Sequence, residues 1–136
     1  MTMSAKPKVL IVDDEERFRT TLRKLLSIRQ METMDVGSAD EAFSELEKNP
    51  YDVILLDVKM PGMNGIEALG KIKKQHPDVE VIILTGHASV DAAVEIMKLG
   101  GYEYLLKPCP VDELAGKIES AWERKTARNK HKAETG

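Results

Sequence analysis

Short apolar, β-branched runs alternate along the chain with longer stretches whose apolar residues recur at three- and four-residue spacing, so strands and amphipathic helices are expected to alternate. Lys8 to Val12 (KVLIV) reads as the first strand. Phe18, Thr21, Leu22, Leu25 and Leu26 then share one helical face, and Asp13, Asp14, Glu15 and Glu16 put acids in that helix's first turn, where the dipole favours them. Glu32 to Val36 is a more polar strand and belongs nearer an edge. Ala39 to Lys48 is a short helix with Ala42, Phe43 and Leu46 inward, ended by Asn49-Pro50. Asp52 to Asp57 is apolar enough to be buried on both faces, and a Pro61-Gly62 turn follows it.

Ile66, Leu69 and Ile72 carry a third helix that stops at His76-Pro77. Val79 to Leu84 (VEVIIL) is another buried strand, ending in Thr85, Gly86 and His87. Ser89 or Asp91 caps the next helix, with Val90, Ala93, Val94 and Met97 as its inward stripe, and Gly100-Gly101 is its left-handed stop. Tyr102 to Leu106 is a fifth strand, and Val111, Leu114, Ala115, Ile118 and Trp122 mark a last helix. Repeated strand–helix units without a hairpin signal imply right-handed crossovers and a parallel sheet covered on both faces.

At 136 residues the chain suits one domain. Residues 1–7 are expected to be a flexible N-terminus, 8–123 the folded domain, and 124–136 a basic tail or linker stub. The formal net charge of −3 argues against a surface that binds nucleic acid directly. One cysteine, Cys109, leaves no internal disulfide, and no apolar stretch has the length of a membrane span. A cytoplasmic location with no membrane partner is the expectation.

Polar chemistry gathers where the strands end. Asp13 and Asp14 follow the first strand, Asp57 ends the third, Thr85 the fourth and Lys107 the fifth. In a parallel sheet these ends point one way, towards the crevice where open α/β sheets bind ligands. Three clustered carboxylates repel one another, so a divalent cation is their natural partner. Oxygen ligands of this kind suit Mg²⁺, which keeps waters and leaves room for a phosphate oxygen.

These residues, with LLDVKMPGMNG, LTGH and LLKP, resemble the receiver domain of bacterial two-component response regulators from about Lys8 to Trp122. The resemblance implies a flavodoxin-like (βα)5 three-layer sandwich with strand order 2-1-3-4-5. It implies that Asp57 accepts a phosphoryl group from a sensor histidine kinase in a Mg²⁺-dependent reaction. Asp14, Asp57 and the Lys59 main-chain carbonyl would ligate the ion, with Asp13 acting through a bound water. Lys107 and Thr85 would stabilise the phosphoryl oxygens, and Thr85 and Tyr104 would form a switch. Lys59, Gly86 and His87 would overhang the phosphoryl group and tune its lifetime. The Lys107-Pro108 peptide is expected to be cis.

The signalling surface implied is the face of the fourth helix, fifth strand and fifth helix, addressed to an output domain, a protein partner or a second copy of the chain. TGHASVDAAVEIMKLGGYEYLLKP further resembles the receivers of nitrogen-regulation and nodulation-type transcription factors, which carry output domains. A stand-alone receiver acting by protein contact is the alternative. Such a domain is a signalling phosphoacceptor rather than an enzyme acting on a separate substrate. A dehalogenase-like phosphatase would want a second Asp at Lys59, and a flavodoxin a phosphate-cradling loop where this chain has four acids. Taken singly, Asp13 and Asp14 read as helix-capping acids and Thr85 as a strand-end hydroxyl; their combination with Asp57 and Lys107 carries the signal.

Overall fold

Among the described residues five strands and five helices alternate: β1 (Lys8–Val12), α1 (Glu16–Ile28), β2 (Glu32–Val36), α2 (Ala39–Lys48), β3 (Val53–Leu56), α3 (Gly65–Gln75), β4 (Glu80–Thr85), α4 (Val90–Lys98), β5 (Glu103–Leu106) and α5 (Val111–Thr135). The structure, a computed structural model, describes residues 6–59 and 64–135. The expected Pro61-Gly62 turn, and most of the expected flexible N-terminus, lie outside the described residues. All strand pairs are parallel, in the order β2-β1-β3-β4-β5.

Alternation along the strands divides the core into two layers, because successive side chains face opposite sides of a sheet. Leu10, Val12, Ile54, Leu56, Val81 and Ile83 pack against α2, α3 and α4 through Ala42, Leu46, Leu69, Ile72 and Ile96. Val9, Ile11, Val53, Leu55, Ile82 and Leu84 meet Leu22, Leu26, Leu114, Ile118 and Ala121 of α1 and α5. Each fully buried Leu or Ile contributes about 1.5–3 kcal/mol, so the sheet is anchored hardest at β1, β3 and β4. Those strands carry the polar residues beyond their ends.

Caps fall where the sequence places them. Ser89 accepts from the Ala92 N–H (3.1 Å) at the start of α4, and Gly100 adopts φ +98° after its end. The more polar β2 is indeed an edge strand.

Three elements differ from expectation. Helix α1 starts at Glu16, so Asp13 and Asp14 stand in the connecting loop, and Thr21 is exposed rather than inward. Helix α4 buries Ile96, with Ala92 and Leu99 beside it, while Val90, Val94 and Met97 are 80%, 48% and 49% exposed. Two stripes on this short helix satisfy the same three- and four-residue spacing. Only one can face the sheet, and the strip carrying Ile96 and Leu99 does.

The third difference is α5, which continues through the expected tail to Thr135. Nothing after Gly116 and before Gly136 breaks a helix, and Lys125, Arg128 and Lys132 recur along one face. That face reaches the amino-terminal edge of the sheet. Lys125 pairs with Asp52 (3.0 Å), Arg128 with Glu80 (3.1 Å), and Lys132 with Asp78 (3.1 Å).

Glu80 is a buried carboxylate that also faces Arg124 (3.4 Å) and Lys73 (4.0 Å). Glu80→Gln would leave its cations without their shared anion. Removing one partner of a fully buried pair costs about 3–5 kcal/mol. Arg124 and Arg128 can turn to water, so the expected loss is about 1–3 kcal/mol, read as a lower denaturant midpoint. An unchanged midpoint would show that the cluster contributes no stability.

Candidate functional site

Register brings the acids together. Val12 is paired with Leu56, so the next residues, Asp13 and Asp57, emerge side by side at the carboxyl ends of β1 and β3. The Asp57 N–H donates to the Val12 carbonyl (3.1 Å), which fixes the step between them. Ligand oxygens of Asp13, Asp14 and Asp57 all lie within 4.8 Å of one another; Asp13 and Asp57 are buried and Asp14 is exposed.

Lys107, just beyond β5, points its ammonium into this group. Its Nζ lies 2.6 Å from Asp13 Oδ2, 3.3 Å from Asp57 Oδ2 and 3.5 Å from Glu15 Oε1, and 4.0 Å above the Phe18 ring. Its backbone N–H donates to the Thr85 carbonyl (2.8 Å), tying the end of β5 to that of β4. The Lys107-Pro108 peptide is cis, as the resemblance implies.

Burial works against the Lys107 charge, but the Asp13 hydrogen bond and the charges of Asp13 and Asp57 outweigh it and hold the ammonium above its usual pKa. Burial pushes the Asp13 carboxyl above its ordinary value. Lys107 and the Glu15 N–H draw it back only in part, and the Asp57 charge adds to the rise. Asp13, Asp14 and Asp57 carry a formal charge of −3 against the one Lys107 ammonium, which the exposed Glu15 also shares, so the three clustered acids are formally two charges short of neutral. An oxygen-rich site with that deficit fits a small, hard divalent cation.

The mouth of the site is an open cleft lined by Asp14, Glu15, Asp57, Lys59, Gly86, His87 and Lys107. The Lys59 N–H donates to Asp57 Oδ1 (3.1 Å), leaving the carboxylate oriented by the backbone on one side and by Lys107 on the other. At Gly86 a Cβ would meet nothing within 4 Å, so the mouth there is open space.

Thr85 is fully buried at the end of β4, and its hydroxyl accepts from the His87 N–H (3.3 Å). The half-buried Tyr104 donates its hydroxyl to the His87 carbonyl (2.5 Å). Both candidate switch residues therefore bond to His87, in the loop before α4.

A family-wide sequence model of the response regulator receiver domain matches residues 9–119. The chain belongs to the response regulator receiver domain family. Its residues are 36% identical over 124 positions to the luminescence regulatory protein LuxO of Vibrio campbellii, covering 91% of this chain and 27% of LuxO. Identity to the DNA-binding transcriptional regulator NtrC of Salmonella typhimurium is 36% over 113 positions, covering 83% of this chain and 24% of NtrC. The chain thus spans about a quarter of the length of these curated relatives.

A receiver domain of known structure from Clostridium thermocellum superimposes with a TM-score of 0.84 at 37% identity, covering 89% of this chain and 98% of that one. The flavodoxin-like order and the resemblance drawn from sequence both hold for this receiver. The sequence points to Asp13, Asp14, Asp57, Lys59, Gly86, His87 and Lys107, and the fold gathers all seven at the carboxyl end of the sheet.

Several supporting residues of this receiver were not anticipated. Phe18 was read only as core, yet its ring underlies the Lys107 ammonium. Gly65 carries no left-handed signal, and its need for a missing side chain becomes visible only when the Asp57–Val58 backbone is seen against it. Arg19 and Asp35, sixteen residues apart and marked by no motif, pair at 2.8 Å beside the acidic loop.

Proposed function

We propose that this receiver accepts a phosphoryl group on Asp57 from the phosphohistidine of a sensor kinase and passes the change to an output domain of a longer regulator. The observation that carries this reading is the Asp57 carboxylate itself, held at a strand tip by the Lys59 N–H and 3.3 Å from the Lys107 ammonium, beside two further acids. In the transfer an Asp57 oxygen forms the new P–O bond, the P–N bond of the donor breaks, and the imidazole leaves with that electron pair. The carboxylate is a weak nucleophile approaching an anion, so placement and charge neutralisation must supply the catalysis.

Asp14, Asp57 and the Lys59 carbonyl would hold Mg²⁺, with Asp13 contributing through a water; the ion supplies positive charge to one phosphoryl oxygen. Lys107 is placed to serve a second oxygen, and it can do so by loosening its bond to Asp13. Thr85 would serve the third after giving up the His87 N–H. Lys59, Gly86 and His87 line the approach of water and so would set the phosphoryl lifetime. The chain acts in this scheme as a phosphoacceptor that cleaves only its own acyl phosphate, and its setting is the cytoplasm.

The same movement reaches the surface. Thr85 and Tyr104 both hydrogen-bond at His87, so drawing the Thr85 hydroxyl towards a phosphoryl oxygen releases one of the two bonds that hold the loop before α4. Val90, Val94, Met97 and Leu106 already stand exposed on α4 and β5. They would form the apolar part of the face offered to an output domain or to a second copy. LuxO and NtrC extend far beyond the matched region, which favours a regulatory domain over a stand-alone receiver.

The test is incubation of the chain with acetyl phosphate. With Mg²⁺ present, one hydroxylamine-labile phosphoryl group should be gained by intact mass, and chelation by EDTA should prevent it. NMR shifts from Ser89 to Leu106 should move in the same sample. Failure to gain the group under any Mg²⁺ concentration would end this reading, and a gain that leaves those shifts unmoved would end the switch.

A further inference from the structure

We infer that Arg19 is a positioning residue for the acidic loop: its guanidinium, bonded to both Asp35 and the Asp13 carbonyl, sets the peptide plane from which Asp14 projects towards the cation. This inference rests on the metal-dependent reading above. Arg19 Nε donates to Asp35 Oδ2 (2.8 Å) and Nη1 to the Asp13 carbonyl (2.7 Å). That carbonyl belongs to the peptide joining Asp13 to Asp14, and a planar peptide carries the Cα of Asp14 with it. A fork of fixed donors can hold two acceptors at once, which a single ammonium cannot do with the same geometry.

The need for such a brace follows from the other bonds in the loop. Asp13 is pinned on all sides: its N–H donates to the Val36 carbonyl (3.2 Å), Oδ1 accepts from the Glu15 N–H (2.9 Å), and Oδ2 accepts from Lys107 (2.6 Å). Asp14 is exposed and its carboxylate has no hydrogen-bond partner among the described residues. Its location is inherited from the backbone, and the oxygen of that backbone is the one Arg19 holds.

The far side of the brace is itself fixed. Asp35 accepts a second bond from Arg23 Nη1 (2.9 Å), on the next turn of α1. Burial raises the Asp35 carboxyl pKa, but the hydrogen bonds and charges of Arg19 and Arg23 outweigh that and keep it below its usual value, so the anchor stays charged. Gly37 leaves the space through which the guanidinium passes. A Cβ there would stand 3.0 Å from Arg19 Nη1, the atom that donates to the Asp13 carbonyl.

Arg23 makes a natural control, because it shares Asp35 but, among the described residues, makes no hydrogen bond or ion pair to the acidic loop. NMR titration of the chain with Mg²⁺ alone reads the site without any phosphoryl donor, and a metal-free thermal melt reads stability separately. Loss of outer-shell partners costs about 10–100-fold in metal affinity. Arg19→Gln should therefore raise the Mg²⁺ Kd about 10-fold, the lower end of that range, whereas Arg23→Gln should change it less than about 2-fold. Gly37→Ala, whose Cβ crowds the same guanidinium at Nη1, should weaken Mg²⁺ in the same direction and serves if Arg19→Gln does not fold.

Equal weakening by Arg19→Gln and Arg23→Gln would mean a general loosening of α1 and would overturn the inference. So would a folded Arg19→Gln, or Gly37→Ala where the first does not fold, that binds as the unaltered chain does. An unaltered chain that gave no Mg²⁺ titration at all would instead overturn the metal site, and this inference with it.

Discussion

Asp57→Asn is expected to abolish phosphorylation outright while leaving the domain folded. Asparagine keeps the shape of the side chain at the end of β3 but has no anionic oxygen to attack phosphorus, and its amide nitrogen is not a substitute nucleophile. The change also removes one of three carboxylates that lie within 4.8 Å of one another. Lys107 retains Asp13 at 2.6 Å, so no buried cation is stranded. Relief of like-charge repulsion should leave the melting temperature equal or higher, even though the carboxylate–ammonium contact at 3.3 Å is given up. The check is paired: intact mass after acetyl phosphate and Mg²⁺, and a thermal melt of the same preparation. Stoichiometric phosphate on the variant would locate the chemistry at another residue.

Gly65→Ala should be the most damaging small substitution near the site. A Cβ at Gly65 would lie 2.4 Å from the Asp57 carbonyl oxygen, 2.5 Å from Val58 Cα and 3.0 Å from the Asp57 carbonyl carbon. These are backbone atoms and cannot swing aside. The Gly65 N–H also donates to the Val58 carbonyl (2.7 Å), so α3 starts hard against the segment that carries Asp57. Alanine would gain at most about 1 kcal/mol in helix propensity. Overpacking against immovable neighbours costs about 1–3 kcal/mol, sometimes more, and here the shortest contacts put it at the upper end. The clash wins. The expected result is a net loss of about 2 kcal/mol or more in denaturant-measured stability, together with slower uptake of phosphoryl, because the peptide after Asp57 must shift. A variant with unchanged stability and uptake would show that α3 can move away freely.

The alternating pattern made the fold legible because parallel strands buried on both faces need unbroken apolar runs, and Leu10, Ile54 and Ile83 sit in such runs. The site was legible for a related reason: in this topology a polar residue that ends an apolar run has only one place to go. Asp13, Asp57, Thr85 and Lys107 are all of this kind.

What escaped the sequence depended on distance in the chain or on ambiguity of phase. The two apolar stripes of α4 are equivalent by spacing, and the choice of Ile96 over Val94 was made by the shape of the sheet edge and α3. Arg19 and Asp35 are separated by the rest of α1, a turn and most of β2, and neither spacing nor composition marks them as partners. Glu80 did leave a trace, as the lone acid within an apolar strand of a chain that ends in basic residues, but only the course of α5 joins those two facts.

That course gives the last helix two different kinds of attachment. Its first half is bound by Leu114, Ile118 and Ala121, contacts that dissolved salt scarcely touches. Its second half is bound by charge, in a series that runs outward from the buried Glu80 at Arg128 to the half-exposed Asp78 at Lys132. Dissolved ions damp the field of an exposed charge over a length of about 8 Å at physiological ionic strength, and they weaken exposed pairs far more than buried ones. The helix is therefore graded along its length, from a root that charge screening does not loosen to an end whose grip on the domain depends on the ions around it.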